Sequence, residues 1–531
     1  MSDETVRDMA AILPQALSED GASAPASYLA GARFWICAFA ILVVALCLRL
    51  PTLSSRSLWL DEAYSAWFAA LPLRELWTDV PLYETHPPFY YTLLKGWTAL
   101  FGTAEWGLRS LSVFASVLTV FSLAISGRLL RLDGKGEAAT LIAGLLLAAN
   151  AGNIFFAQQA RPYALETLTA TLAIISSVAL LRALITQLPG RLLVSPVLAP
   201  AIALAASGGI TLWLHNTAVF VAFGIWVGLG LSILVFLSGH RVKSLVVAAA
   251  AGVAALAIWA PYLPMYFWQS QRFTGLSFWV ATSKLDFISA WVLASGGDIP
   301  AASAAILAAI GWFALWRADR ATALNLLIVL FLPISIVLAI SFTVKPIYIS
   351  RLFEWLAPLV MLLVAVGIVN IWKSTAVKAF VLGGFLVMGA IEVSRGYAHV
   401  VEDPRRMAEE IAAIAQTGDV VVAAPSELSV ELIYYAEGRS GFPPIVYVPG
   451  PFPVRDETGE RTFVSNLGAP VVTAADVQKM ATAIRSYRRV WLITRSEGLY
   501  DPPGLVRGEL SSSKRATQTA NYFGTTVTLF E

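Results

Sequence analysis

The chain contains few charged residues for its length. Of its 531 residues only 14% are charged, whereas 57% are hydrophobic, which excludes a soluble globular protein of ordinary composition. The net charge is +2, and the Lys and Arg residues are dispersed, so the composition also argues against a nucleic-acid-binding protein. The sequence therefore predicts a polytopic α-helical membrane protein.

Cysteine and histidine are equally scarce. The two cysteines, Cys37 and Cys47, share the first apolar segment, and ten residues span about 15 Å along a helix, too far for a disulfide. The four histidines are widely spread, at positions 86, 215, 240 and 399. Disulfide frameworks and zinc sites built on cysteine are excluded, and neither a Gly-rich phosphate loop nor an internal repeat is visible.

The apolar segments predict about eleven transmembrane helices, since a span needs roughly 20 apolar residues. They cover residues 33–50, 106–130, 138–150, 162–185, 196–214, 217–237, 244–262, 301–316, 324–342, 353–372 and 379–393. Basic residues occur in alternate connections, at 128–135, 182–191, 241–243, 317–320 and 373–378, and mark the cytoplasmic side. We expect a disordered cytoplasmic tail over 1–32, a transmembrane domain over 33–394, and external segments at 51–105 and 265–300.

Residues 395–531 have the composition of a soluble domain. "DPRRMAEEIAAIAQTGDVVVAAPS" predicts a helix, a turn and a buried strand, and "PIVYVP", "ADVQKMATAIRSY" and "RRVWLIT" continue the alternation. The positions of the spans place this α/β domain outside the cytoplasm.

The first external segment combines acids with aromatic residues. "SLWLDEAYSAWF" contains Asp61 and Glu62, and "LYETHPPFYYTLL" contains Glu84 and His86. Residues 61–71 and 89–101 have the periodicity of amphipathic helices, which can lie at the membrane interface. The acids would then face molecules carried in the lipid. Alternatively, Asp61 and Glu62 merely start a helix, since acids favour the first turn and Asp is a good N-cap, and His86 begins the next helix.

Three arginines on the external side begin helices. Arg109, Arg161 and Arg351 each place a cation at the partially positive end of a helix, an unfavourable pairing that an anion would relieve. Together with Lys345 and Arg56 they predict a phosphate site, although lipid headgroups are an alternative source of the anion.

The motifs "LWLDEAYSAWF", "ETHPPFYYTLL", "QQARPYAL" and "LWLHNTA", followed by the α/β domain, resemble those of family 39-like bacterial glycosyltransferases of the GT-C superfamily. Relatives are protein O-mannosyltransferases and lipid A aminoarabinose and galacturonic acid transferases. The resemblance implies a GT-C fold in the bacterial inner membrane. It also implies inverting transfer of a sugar from a polyprenyl-phosphate donor to a lipid, glycan or protein acceptor on the external face. Asp61 would be the general base, and Glu62 would orient the acceptor or its neighbour.

The chain departs from the aminoarabinose transferases at two positions. His86 stands where those enzymes have Lys, and Tyr64 stands where they have Arg, so their phosphate contacts do not transfer. Glu84 and His86 could supply two ligands to a divalent metal such as Mg or Mn, but two ligands do not make a metal site. Tyr163 is expected to contact the sugar or belong to the aromatic belt.

Two other functions remain open. A lipid or solute transporter would place polar residues at the midplane, whereas Arg109, Glu166, Glu354 and Glu392 all lie near external helix ends. A non-catalytic assembly subunit would use the α/β domain to bind partners.

Overall fold

The computed structural model describes residues 24–130, 132, 134–186, 195–273, 283, 286–454 and 470–531. The helices of the first half are α1 (Ala24–Arg49), α2 (Leu60–Ala70), α3 (Leu73–Thr78), α4 (Pro88–Phe101), α5 (Glu105–Ile125), α6 (Gly136–Ala148), α7 (Ala151–Ala157), α8 (Tyr163–Thr186), α9 (Ser195–Leu214), α10 (Ala218–Phe236) and α11 (Arg241–Trp259). They are followed by α12 (Leu263–Phe273), α13 (Asp286–Ser295), α14 (Asp298–Ala318), α15 (Arg320–Thr343), α16 (Ala357–Asn370), α17 (Thr375–Ala398), α18 (Pro404–Ile414), α19 (Leu428–Tyr435), α20 (Ala474–Ile484), α21 (Glu497–Tyr500) and α22 (Leu505–Ser513). Short 3-10 helices cover Val80–Leu82, Ser126–Leu129, Ala260–Tyr262 and Ser350–Leu356.

Ten helical segments of the described chain are long and apolar enough to cross a bilayer, and a bent pair brings the number to eleven. The bent pair is α6 and α7, which meet at 61°. Asn150 stands between them, and its side chain accepts a hydrogen bond from the amide of Asn153 to begin α7. These segments coincide with the eleven predicted spans, so the polytopic helical fold is confirmed.

The structure differs from the prediction at several boundaries. Residues 1–23 of the predicted tail over 1–32 lie outside the described residues. Residues 24–32 are helical and belong to α1. The segment 265–300, predicted to lie on the external side, contains most of α12 and all of α13. Both helices are shorter than a span, so the search for apolar spans did not identify them.

The bundle is packed most tightly where α14 crosses α16. A Cβ at Gly311 would lie 1.9 Å from the carbonyl oxygen of Leu363, and one at Gly367 would lie 2.1 Å from that of Leu307. Only glycine permits this approach of two backbones, as is common between membrane helices. Helix α16 is buried along almost its whole length.

The C-terminal region contains a five-stranded sheet in the order β2-β1-β3-β5-β4. Strands β1 (Asp419–Ala424), β2 (Ile445–Tyr447) and β3 (Arg489–Arg495) are parallel, whereas β5 (Thr525–Phe530) is antiparallel to both β3 and β4 (Ala516–Tyr522). The predicted alternation of helix and strand is present. Strands β4 and β5 and helices α19, α21 and α22 were not predicted.

The C-terminal region packs on the segment between the first two spans. We call the end of the bundle at which residues 50–104 and 399–531 meet the domain side. Helix α2 contacts α19, and the ring of Phe452 lies 4.8 Å from that of Tyr64 and 5.6 Å from that of Trp67. Helix α2 is thus covered by the C-terminal region, although Ala70 at its end is exposed.

Candidate active site

Glu62 and Arg109 form a buried ion pair beneath the domain side. Arg109 donates from Nε to Oε1 of Glu62 at 2.8 Å and from Nη2 to Oε2 at 2.6 Å, and both side chains are almost fully buried. The amide of Ala160 also donates to Oε1 at 2.8 Å. The remaining Arg109 bonds reach the carbonyls of Leu53, Arg56 and Ser57. Glu62 therefore ties α2 to α5 and to the loop before α8, and both of its oxygens are occupied.

Asp61 points the other way, toward two guanidinium groups. Its Oδ2 accepts a hydrogen bond from Nη1 of Arg351 at 3.0 Å and lies 4.0 Å from Nη2 of Arg161. Arg161 also donates from Nη1 to the backbone carbonyl of Asp61 at 3.1 Å. Burial opposes ionisation of Asp61, but Arg161 and Arg351 outweigh it and hold the pKa of this carboxyl below its usual range. The structure thus brings together three residues separated by up to 290 positions.

The Arg161 cation is fixed by a chain of hydrogen bonds through His86. Nη2 of Arg161 lies 3.2 Å from Nε2 of His86, and Nδ1 of His86 contacts Oε1 of Glu84. A guanidinium only donates, so Nε2 accepts and the ring proton lies on Nδ1, directed at Glu84. Burial raises the pKa of Glu84, but its contact with His86 outweighs burial and lowers it. Glu84 and His86 therefore orient Arg161.

His215 and Tyr163 complete the wall around Arg161. Nδ1 of His215 accepts from the amide of Thr217 at 3.1 Å, which leaves the proton on Nε2. Burial, reinforced by the neighbouring positive charges, lowers the pKa of His215 well below its usual value, so the ring is neutral. Its ring lies 4.8 Å from that of His86, and the Tyr163 ring lies 5.9 Å from the Arg161 guanidinium carbon.

Arg56 and Lys345 are not joined to this cluster by a contact seen among the described residues. Arg56 donates from Nη2 to the carbonyl of Gly396 at 2.6 Å, and Gly396 lines a separate cavity of about 650 Å³ between α7, α13 and α17. Lys345 follows α15, burial lowers the pKa of its ammonium, and it is not among the charges that act most strongly on Asp61. Within the described residues, neither is seen to contact Asp61.

A buried polar network below the cluster contains an arginine that the sequence analysis missed. Arg49 donates to Ser116 Oγ at 2.8 Å and to Asn153 Oδ1 at 2.6 Å, and Asn153 donates to Glu354 at 2.6 Å. Arg49 ends the first span on the side that should be poor in basic residues, the same signal that singled out Arg161 and Arg351. It holds α1, α5 and α7 together beneath the site.

The residues at the site do not fit a divalent cation. Both ring nitrogens of His86 are engaged, by Glu84 and Arg161, two arginines face Asp61, and Glu62 is paired with Arg109. In the part of the chain that the structure describes, no group of three or more His, Cys, Asp or Glu side chains is arranged to hold a metal. A cation here would have to displace Arg161 from its partners.

Comparison with known proteins gives structural neighbours only, because no protein-family model and no curated protein sequence matches the chain. ArnT from Cupriavidus metallidurans in the apo state is similar with a TM-score of 0.58 and 14% identity, over 94% of this chain and 98% of ArnT. The form of ArnT bound to undecaprenyl phosphate is similar with a TM-score of 0.57 and 14% identity, over 93% of this chain and 98% of ArnT. The Archaeoglobus fulgidus oligosaccharyltransferase in complex with Zn and sulfate is similar with a TM-score of 0.51 and 12% identity, over 93% of this chain and 72% of the oligosaccharyltransferase chain. The similarity extends over nearly the whole chain, from the bundle to the C-terminal sheet, and the chain therefore has the GT-C fold that its motifs predict.

Proposed function

We propose that the protein is a membrane glycosyltransferase that moves a sugar from a polyprenyl-phosphate donor to an envelope acceptor. The observation that carries the proposal is the single carboxylate of Asp61 held between two guanidinium groups, Arg161 and Arg351. Displacing a phosphate from a sugar requires a base for the acceptor and cations for the leaving group, and this cluster contains both. A neighbour of the same fold was crystallised with undecaprenyl phosphate, a ligand of the expected class.

The reaction follows from this arrangement as a single displacement. Asp61 accepts the proton of an acceptor hydroxyl as its oxygen attacks the anomeric carbon. The bond between that carbon and the phosphate oxygen breaks, and the polyprenyl phosphate leaves with the electron pair. Arg161 and Arg351 stabilise the charge that develops on the phosphate. The new bond forms on the face opposite the leaving group, so the configuration inverts.

The same geometry gives Asp61 a second role before the donor binds. Before the donor binds, its carboxylate pairs with the arginines that the phosphate would contact, and so takes the place of the ligand anion. When the phosphate takes these cations, Asp61 loses its neutralising partners and gains a negative neighbour, and both changes strengthen it as a base. Donor binding would therefore activate the base.

Glu62 takes the second of its two predicted roles in this proposal. Both of its oxygens are bonded to Arg109 and to the amide of Ala160, so it orients its neighbour Asp61 and not the acceptor. The other residues selected from the sequence also take different roles in the proposal. His86 and Glu84 orient Arg161, Tyr163 lines the site, and Lys345 and Arg56 remain candidates for contacts farther along the donor. No step uses a metal.

The experiment is transfer by the purified full-length chain with polyprenyl-phosphate sugars. Asp61→Asn should abolish transfer without loss of folding, and full activity in this variant would refute its role as the base. Arg351→Gln, at a partly exposed position, should weaken donor binding more than acceptor binding. Equal loss for both substrates would count against a phosphate site.

The proposed location is the external face of a bacterial inner membrane, with the N-terminus in the cytoplasm. It rests on the basic connections between spans, which lie opposite the domain side. The transporter hypothesis predicts instead that substrate crosses the membrane without a new glycosidic bond, and the assembly-subunit hypothesis predicts that the α/β region binds partners while Asp61→Asn has no effect. Mass spectrometry of envelope glycans and lipids from a strain without this gene would identify donor and acceptor together.

A further inference from the structure

Within helix α2, which carries Asp61, Glu62 accepts from the amide of Trp59 at 3.4 Å, but no side chain of the helix accepts from its first amide, that of Leu60. The helix begins at Leu60, so the capping position belongs to Trp59, whose indole has no acceptor for the free amides of the first turn. The missing acceptor comes from far along the chain. Oε2 of Glu402 accepts from the amide of Leu60 at 2.7 Å, and both residues are buried. A carboxylate is also the favourable charge at this end of a helix.

Two further bonds hold the residues that lead into α2. Ser57 donates from Oγ to Oδ1 of Asp403 at 2.7 Å, and the amide of Leu58 donates to the hydroxyl of Tyr435 at 2.7 Å. All three acceptors belong to the C-terminal region. Positions 57, 58 and 60 are thus fixed by that region immediately before Asp61.

Glu402 is itself held by one arginine. Nη2 of Arg495, at the end of β3, lies 2.5 Å from Oε1 of Glu402, while Glu427 and Glu431 are 3.6 Å and 3.7 Å from the same guanidinium. Burial, together with the charge of Glu402, raises the pKa of Glu431 well above its usual value. Glu402 therefore bridges Arg495 and the backbone amide next to Asp61.

We propose that Glu402 and Arg495 are positioning residues for Asp61, so that the C-terminal region is part of the catalytic centre. The inference rests on the proposed function. A region that only shielded the membrane helices or bound partners would not require a buried carboxylate on the first amide of the helix that carries the base. Glu402 fixes the backbone one residue before Asp61, and Arg495 fixes Glu402.

The first measurement needs no substrate. Hydrogen exchange of the Leu60 amide is followed by mass spectrometry in the full-length chain in detergent. Glu402→Ala should accelerate this exchange by about tenfold, because it removes a charged acceptor, whereas Glu402→Gln retains an acceptor oxygen and most of the protection. Arg439→Gln, which breaks an exposed pair with Glu409 in the same region, is the matched control and should behave as the wild type. Unchanged exchange in Glu402→Ala would overturn the inference.

The second measurement is the pH dependence of transfer. The charges that lower the Asp61 pKa are Arg161, Arg351, His86 and Arg495, and the titratable groups Glu427, Tyr64 and Tyr91 also interact with Asp61. Arg495→Met should lower kcat about tenfold, since small misplacements of a catalytic group are costly, and should move the acid limb of kcat/KM to higher pH by removing one cation. Arg495→Lys should restore part of the lost kcat and part of the shift of the acid limb. A merely structural role would change the yield of folded protein but not the position of that limb.

The two measurements separate the inference from the proposed function. Faster exchange in Glu402→Ala with no transfer by the wild type would leave the contact with α2 in place and refute the transferase. Transfer by the wild type with unchanged kcat and pH profile in Glu402→Ala and Arg495→Met would refute the positioning role alone. If Glu402→Ala does not fold, Glu402→Gln and Arg495→Met still decide the question through kcat and the acid limb.

Discussion

Replacing Asp61 by Asn should abolish transfer yet strengthen binding of the polyprenyl-phosphate carrier. The Asp61 carboxylate lies 3.0 Å from Arg351 and 4.0 Å from Arg161, the cations that the phosphate needs. Two unit charges 4 Å apart attract by about 1 kcal/mol in water and by about 4 kcal/mol at an effective dielectric constant of 20. Asp61 and Arg351 are 22% and 25% exposed, so we take a value near the lower limit, about 1.4 kcal/mol, which corresponds to about tenfold in affinity.

The assay is binding of undecaprenyl phosphate, which has no sugar to transfer, to purified wild type and Asp61→Asn, for example by native mass spectrometry with matched lipid concentrations. Glu497→Gln removes an exposed carboxylate that pairs with Arg507 in the C-terminal region, and it controls for the loss of one negative charge. Tighter binding only in Asp61→Asn would support competition between carboxylate and phosphate. Equal or weaker binding in that variant would refute the reasoning.

Three other perturbations follow from the structure. Glu62→Gln should destabilise the protein by about 3–5 kcal/mol, seen as early thermal unfolding in detergent, because it leaves the buried Arg109 unpaired; a melting curve like that of Asp61→Asn would contradict this. The acid limb of kcat should lie at higher pH than that of kcat/KM, because burial raises the Asp61 pKa but the arginines outweigh it in the free protein, and the phosphate then shares those arginines; coincident limbs would argue against it. Gly367→Ala should destabilise the bundle by at least 1–3 kcal/mol by forcing a Cβ to 2.1 Å from a carbonyl oxygen, whereas Gly230→Ala, with nothing within 4 Å, should leave the melting temperature unchanged.

The transmembrane architecture could be predicted because it depends on local composition. A bilayer requires long apolar helices, so the eleven segments and the change of composition near 395 are visible in the sequence. The bend between α6 and α7 was not predicted, since it depends on one asparagine capping α7. Helices α12 and α13 were missed because they are shorter than a span.

The site was accessible to electrostatic reasoning only in part. A cation at the positive end of a helix requires an anion, and this argument selected Arg161 and Arg351, which meet at Asp61. The same argument assigned Arg109 to a ligand phosphate, whereas its anion is Glu62. Sequence shows that an anion is needed but cannot tell a protein carboxylate from a ligand. That distinction depends on which side chains meet in three dimensions.

The contacts of Glu402 could not be anticipated for a related reason. Trp59 at the capping position was a visible deficiency, but the residue that compensates for it lies 342 positions from Leu60. The alternative that Asp61 and Glu62 belong to a helix start holds in part, because both lie in the first turn of α2, although the capping position belongs to Trp59. A missing cap in a sequence is therefore a reason to look for a distant acceptor.

The hydrogen bond between Leu60 and Glu402 has a consequence for biosynthesis. A nascent chain inserts its spans in order, and domains fold from the N-terminus onward. The α2 segment leaves the ribosome early, yet Glu402 and Arg495 emerge only after the last span. Under the proposed function, products that terminate before residue 495 would hold Arg161 and Arg351 in the membrane without a fixed Asp61. Premature termination would therefore yield inert protein rather than an uncontrolled transferase.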